Sequence, residues 1–456
     1  MAEMSDSRPH PVRATHTFPR GFKWGTATAA HQVEGHSTNS DWATWEALPG
    51  KIRAGGSAVL ACDWWGGRWR EDFDRAANDG QTTHRLSLEW SRIEPRPAVW
   101  DEDALDHYRQ MVTGLRERGL EPMVTLHHFA NPLWFVEKGG WENAESARYF
   151  ERYTRKVVAA LQDVVSLWCT INEINIYAYQ SFAEGIWPPG KKDTRACFNV
   201  IRHMLIAHAA AYRAIHQIQP QAQVGVAHHL QLIDPWRPDF ALDRWVASFQ
   251  HRTFNEAIPQ ALHTGRLLFP IANGVRGEQI PELAGAMDYI GVNYYSRQRS
   301  AFDLAKPASL FGRTFHTPDA EMDNIALNEF YPEGLFRVLK WANGFGKPIY
   351  ITENGWGDDD EGRRSRALIQ HLRQMWRAVN FNWPVQGYYY WTLVDNFEWE
   401  RGWTQHFGLY ALDTATQNRA SRPAAGLYAE VCKTNTLTSD MVARYAPELL
   451  PQLFPG

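Results

Sequence analysis

Two short stretches carry residue types that could move protons and make bonds. In Pro348-Ile-Tyr-Ile-Thr-Glu-Asn-Gly-Trp-Gly357 an apolar, β-branched run ends in a carboxylate, an amide and two glycines. Leu167-Trp-Cys-Thr-Ile-Asn-Glu173 has the same form and ends in Asn172 and Glu173. A strand that stays apolar to its last residues suits a parallel sheet covered on both faces, and in closed barrels of such strands the chemistry gathers at the C-terminal ends. Glu353 and Glu173 could then face each other across one pocket. Two such carboxylates can cleave a glycosidic bond, one protonating the leaving oxygen while the other attacks the sugar or activates water. A gap of about 5–5.5 Å suits retention of configuration and roughly 6.5–9.5 Å suits inversion. The acid must be protonated while the attacking group is ionised, so their surroundings must differ. Arg85, if it lies beside Glu353, would keep that group charged.

Eight short apolar runs read as strands able to position these residues: Phe22–Thr28, Thr83–Leu88, Pro122–Leu126, Leu167–Asn172, Gln223–Ala227, Tyr289–Tyr294, Pro348–Thr352 and Val385–Trp391. Between most of them lie amphipathic segments with apolar residues recurring at three and four, such as Asp103–Arg118, Ala144–Leu161, Phe198–Ile218 and Ser365–Val379. This alternation predicts an α/β fold, a single (β/α)8 barrel over residues 18–456, after a polar leader at 1–17 expected to be disordered. Long connections at Ala30–Gln81 and Ser296–Glu329 would shape a pocket at the barrel mouth. Polar residues cluster at the strand ends: Gln32 and Glu34, Arg85, His127 and His128, Asn172 and Glu173, His228 and His229, Asn293 and Tyr295, Glu353, then Glu398 and Trp399.

With 47 basic and 51 acidic residues interspersed and a net charge of -4, the chain has no basic face for nucleic acid. Its four cysteines, Cys62, Cys169, Cys197 and Cys432, have neither CxxC spacing nor the density of a disulfide framework. No stretch of about 18 apolar residues occurs, so a soluble cytoplasmic protein is expected. The 21 Trp residues fit a bulky core, and some could offer flat faces for sugar rings. Paired histidines and carboxylates at strand ends raise the alternative of a metal-dependent hydrolase. Against it, adjacent residues of a strand point to opposite faces, so at most one of His127 and His128, and one of His228 and His229, can enter the pocket. No nucleophile elbow, phosphate-cradling loop or dinucleotide fingerprint follows a strand.

From about Phe18 to Tyr428 the chain resembles the family 1 glycoside hydrolases, the retaining β-glucosidases and β-galactosidases. The resemblance rests on Phe18-Pro-Arg-Gly-Phe-Lys-Trp-Gly-Thr-Ala-Thr-Ala-Ala-His-Gln-Val-Glu-Gly35, on Thr170-Ile-Asn-Glu-Ile174, on Thr352-Glu-Asn-Gly355, and on Trp391-Thr-Leu-Val-Asp-Asn-Phe-Glu-Trp399 followed by Phe407-Gly408. It implies Glu353 as nucleophile and Glu173 as general acid/base. It further implies sugar contacts from Gln32, His128, Asn172, Glu398 and Trp399 over a floor formed by Trp391, with Arg85 and Tyr295 holding the nucleophile and with Asn293 and Phe407 in support. No metal or organic cofactor is implied. The implied partners are small-molecule β-glucosides and oligosaccharides, with neither nucleic acid nor membrane, and a homo-oligomer is compatible with all of this.

Ile174 departs from the pattern, replacing a proline and removing a fixed φ after Glu173, for which a local adjustment is expected. Relatives acting on 6-phospho sugars are similar to one another in having Ser where Glu398 stands and a Lys and a Tyr soon after, where this chain has Gln405 and Phe407. The Glu398 carboxylate would repel a phosphate, so unphosphorylated glucosides are expected, with galactosides and fucosides secondary. The aglycone side is expected to be built from loops such as Ala301–Asn324.

Overall fold

The structure, a computed structural model, describes residues 14–268, 277–306 and 309–455. Eight parallel strands close into a barrel and follow one another around it in chain order: β1 Lys23–Ala27, β2 Thr83–Ser87, β3 Glu121–His127, β4 Leu167–Asn172, β5 Gln223–His229, β6 Tyr289–Asn293, β7 Ile349–Asn354 and β8 Val385–Trp391. Each matches an expected run to within two residues at either end. Between them pack α1 Ala30–Val33, α2 Glu102–Glu117, α3 Ser146–Leu161, α4 Ile174–Ala178, α5 Thr194–Ile218, α6 Ala241–His251, α7 Glu333–Asn343 and α8 Glu361–Asn380. The (β/α)8 architecture is therefore as expected.

The helices begin where side chains satisfy their first amides, which have no partner within the helix. Asp101 accepts from Ala104 N, Asp193 from Arg195 N and Ala196 N, and Asp360 from Gly362 N and Arg363 N. Helices α3 and α5 turn Phe150, Val157, Leu161, Met204 and Leu205 inward to a shared core. Strands β2, β4 and β7 are buried along their whole length, as strands covered on both faces must be. Most tryptophans serve this core: Trp24, Trp42, Trp64, Trp90, Trp141 and Trp168 are completely buried. All four cysteines are buried and free.

Residues 1–13 of the expected leader lie outside the described residues. Its last three, Thr15–Thr17, form a short strand antiparallel to Thr436–Thr438. The ordered part thus starts earlier than Phe18, because His16 stacks on Trp376 with 3.9 Å between ring centroids. Among the described residues no helix is long and apolar enough to cross a membrane. The connection after β6 is built partly as a small sheet, in which Arg297–Phe302 pairs with Leu232–Pro235 and Gly312–Phe315.

Candidate active site

A cavity of about 310 Å³ opens at the C-terminal mouth of the barrel, lined at its centre by Glu173 and Glu353. That lies at the lower end of the range for small-molecule pockets, about 300–1,000 Å³. Both carboxyl groups are almost wholly buried.

Glu353 is delivered by β7, whose apolar start, Ile349 to Ile351, fixes the strand in the core. Two donors take its two oxygens separately. Arg85 Nη1 donates to Oε1 at 2.6 Å and the Tyr295 hydroxyl to Oε2 at 2.8 Å. The fully buried Arg85 spreads its fork further, with Nη2 donating to Asn172 Oδ1 at 2.6 Å and Nε to Thr125 Oγ1 at 3.0 Å. A planar guanidinium can serve these acceptors at once, which an ammonium cannot. Burial, then the facing charge of Glu173, push the Glu353 carboxyl up to about 7 against the pull of Arg85 and Tyr295.

Glu173 sits at the junction of β4 and α4 with φ 44° and ψ 59°, in the left-handed region. A non-glycine residue there costs on the order of 1–3 kcal/mol and persists only where its surroundings hold it. Here its N–H donates to Ala227 O at 2.8 Å and its carbonyl accepts from Tyr177 N at 3.0 Å. The departure at Ile174 is accommodated beside it: Ile174 takes the first helical position with its side chain in the core.

Both donors to the Glu173 carboxyl meet on one oxygen. Asn293 Nδ2 donates to Oε1 at 2.7 Å, and His229 Nδ1 lies 3.0 Å from the same atom. The register explains the convergence, since His229 and Asn293 are direct partners on β5 and β6. Asn293 is itself oriented by Thr352 Oγ1, which donates to its carbonyl at 2.6 Å. Burial raises the Glu173 carboxyl, but the His229 imidazolium, its hydrogen bond, Asn293 and Arg85 outweigh it and hold Glu173 below the usual carboxylate range. A general acid at Glu173 therefore needs its proton supplied against an imidazole and a guanidinium that favour the ionised carboxylate.

The remaining expected residues converge on the same cavity. His128, Asn172, Tyr295, Trp391, Glu398, Trp399 and Phe407 line it. His128 stacks on Trp391 and Trp399, and Phe407 meets Tyr295 edge-on. Gln32, Arg85 and Asn293 are fully buried and support the lining residues. Gln32 spends its amide nitrogen on Asn396 Oδ1, Phe397 O and Glu398 Oε2, and its Oε1 has no partner among the described residues. Burial pushes the Glu398 carboxyl up to about 7.

Other strand-end residues point elsewhere. Glu34 binds Arg92 and Tyr108, His127 binds Asn131, and His228 binds the Asn255 carbonyl. One histidine of each pair therefore enters the cavity, as alternation along a strand requires. Of the described residues of the Ala301–Asn324 loop only His316 lines the cavity, while Gln298, Leu327 and Asn328 come from just outside that range. Phe129, Ile176, Gln180, Trp187, Gln231, Glu400 and Arg401, none of them singled out in the sequence, complete the wall together with His229. For His229 the signal was present in the pair at the end of β5, and only the register tells which member faces inward. Among the described residues no three His, Cys, Asp or Glu side chains converge to hold a metal ion.

A closed parallel barrel with paired carboxylates at its C-terminal mouth is the architecture of a barrel glycosidase. The chain belongs to glycosyl hydrolase family 1, whose model it matches over residues 14–437. It is 31% identical to a 1,4-β-D-glucan glucohydrolase of Thermotoga neapolitana, over 92% of this chain and 99% of that one. Its identity to β-glucosidase A of Thermotoga maritima is also 31%, over 92% and 98% of the two chains. The solved structure of a β-glycosidase from Pyrococcus horikoshii superposes with a TM-score of 0.88 at 32% identity, covering 95% of this chain and 98% of that one.

Proposed function

We propose that this family 1 enzyme is a retaining exo-β-glucosidase. It hydrolyses terminal non-reducing β-D-glucosyl residues through a covalent glycosyl-enzyme intermediate, with β-galactosides and β-fucosides as secondary substrates. Residues 18–456 act as one catalytic unit, in the cytoplasm. The observation that carries this reading is the clamp on Glu353, in which Arg85 and Tyr295 hold one oxygen each opposite Glu173 in the same cavity. Such a clamp fixes a carboxylate as a nucleophile should be fixed, with its charge favoured by a buried cation and its position set by two bonds.

In the first half-reaction Glu353 attacks the anomeric carbon while Glu173 supplies the proton that leaves with the aglycone oxygen. In the second, Glu173 takes a proton from water as it attacks, and Glu353 departs. Asn172, held through its carbonyl by Arg85, directs its amide nitrogen to the sugar 2-hydroxyl, a contact that can contribute several kcal/mol in the transition state. Trp391 forms the apolar floor, and His128, Gln32, Glu398 and Trp399 take the other hydroxyls. The support for these roles is that all of them lie in or directly beneath one cavity.

A 2-deoxy-2-fluoro glucoside with a good leaving group tests the reading. It is expected to inactivate the enzyme with one sugar attached to the peptide bearing Glu353. Attachment elsewhere, or turnover of an aryl β-glucoside that disappears on adding EDTA, would overturn it.

A further inference from the structure

His229 stands at the end of β5 with its ring between the two halves of the catalytic apparatus. Nδ1 lies 3.0 Å from Glu173 Oε1, and the ring stacks on Tyr295, with centroids 6.0 Å apart and planes 18° apart. Tyr295 in turn holds Glu353. Phe254 closes the edge of the imidazole. The side chain is only 13% exposed, so this is an enclosed ion-pair geometry and not a solvated contact.

We propose that His229 is a positioning residue for Glu173, holding its carboxyl through Nδ1 and sharing with it the proton that the reaction delivers to the leaving oxygen. This rests on the retaining reading above. The resting pair carries one transferable proton, placed on Nδ1 with Glu173 ionised. As the C1–Glu353 bond forms and the bond from C1 to the aglycone oxygen breaks, the proton moves from Nδ1 to Glu173 Oε1, and the carboxyl turns that O–H away from His229 and delivers it to the departing oxygen, leaving neutral His229 beside ionised Glu173. When water attacks C1 and the bond to Glu353 breaks, Glu173 takes the water proton and the pair regains its resting count. No further co-reactant is needed.

The surrounding charges fit this role. Burial opposes the imidazolium, but Glu173 first and then Gln231 and Glu353 favour it, and His229 is held above its ordinary value. Arg85 acts on Glu173 in the same direction as His229, keeping it ionised. His228, its neighbour on β5, is turned to the Asn255 carbonyl and held neutral by burial, its value lowered to about 4. Tyr295, buried and facing Glu353 and Glu173, is kept protonated. The described titratable groups around His229 therefore leave Glu173 as its proton partner. The proton that a Glu173 acid needs is thereby stored one hydrogen bond away.

The imidazole titration read by NMR tests this without turnover, with the His229 resonance assigned by its loss in His229→Asn. In the unmodified enzyme the midpoint is expected above 6.5. In Glu173→Gln it should fall by roughly 1–3 units, since the facing charge is removed and burial remains. Coincident midpoints would overturn the proposal, and would do so even if the glucosidase reading held. Kinetics give a second arm. A proton shared by two sites is lost at a higher pH than from one of them alone. His229→Asn keeps a donor but cannot store the proton, so the alkaline limb of kcat/KM should move down by roughly one unit. A plateau lowered at every pH with an unmoved limb would mean that His229 only packs, and would overturn the proposal.

Discussion

Across the cavity Glu353 and Glu173 each receive two hydrogen bonds, yet the two walls hold them differently. On the Glu353 wall the donors are a permanently charged guanidinium and a phenol, one on each carboxyl oxygen. On the Glu173 wall an amide and an imidazole meet on a single oxygen, and among the described residues Oε2 takes no hydrogen bond. Holding both oxygens fixes direction and charge, which suits attack on carbon. Holding one leaves the other to meet a leaving group or a water, and a titratable donor lets the proton count change during the cycle. The contrast follows from which strands supply the neighbours: β2 brings Arg85 under Glu353, whereas β5 and β6 bring paired residues beside Glu173.

The largest effect should come from emptying the first wall. Glu353→Gly is expected to reduce hydrolysis to background, with azide or formate restoring an inverted product from an activated glucoside. An active variant would show that the two walls have been assigned the wrong way round. Emptying the second wall should do less and should depend on the substrate. Glu173→Ala is expected to slow substrates with poor leaving groups by roughly 10²–10⁴-fold. Those with good leaving groups should suffer less, and azide should give a retained product. Equal losses for both would remove the distinction between the walls.

Smaller changes test how each wall is tuned. Tyr295→Phe deletes a bond that favours the ionised form of Glu353, so its carboxyl, already near 7, should rise further. As the proposed nucleophile Glu353 must be ionised, so the acid limb of kcat/KM should move to higher pH, and activity above it should fall on the order of tenfold, the value of one hydrogen bond to a charged group. A limb that stays in place would separate Tyr295 from the clamp. The smallest absolute change is expected at the pocket floor. Glu398→Ser should relax discrimination against 6-phosphoglucosides by removing a carboxylate that would face the phosphate, measured as a ratio of kcat/KM values. An unchanged ratio would place the selectivity elsewhere.

Much of this was legible along the chain. The strands announced themselves as apolar runs because both faces of a parallel barrel strand are covered, so Leu167–Asn172 and Val385–Trp391 appear with the limits that the structure gives them. Glu173 and Glu353 stood out because each is a charge set directly after such a run, and Arg85 because it is a charge within one. Burying a cation inside a barrel strand demands a partner, and Glu353 is that partner. The order at Thr15–Thr17 was not legible, since three polar-flanked residues carry no pattern of their own and gain their place from Thr436–Thr438.

What the sequence by itself determined is the set of strands, the family motifs and the two carboxylates, all properties of contiguous residues whose meaning survives without knowledge of their neighbours. What only the tertiary structure decided is which of His228 and His229 faces the pocket and which oxygen each donor takes. It also decided that Glu173 is met by an imidazole while Glu353 is met by a guanidinium. Those depend on the register between β5 and β6 and on the left-handed turn at Glu173. A shift of one residue would exchange the faces of the strand, so the proton chemistry of the site is set by pairing geometry that composition and spacing do not encode.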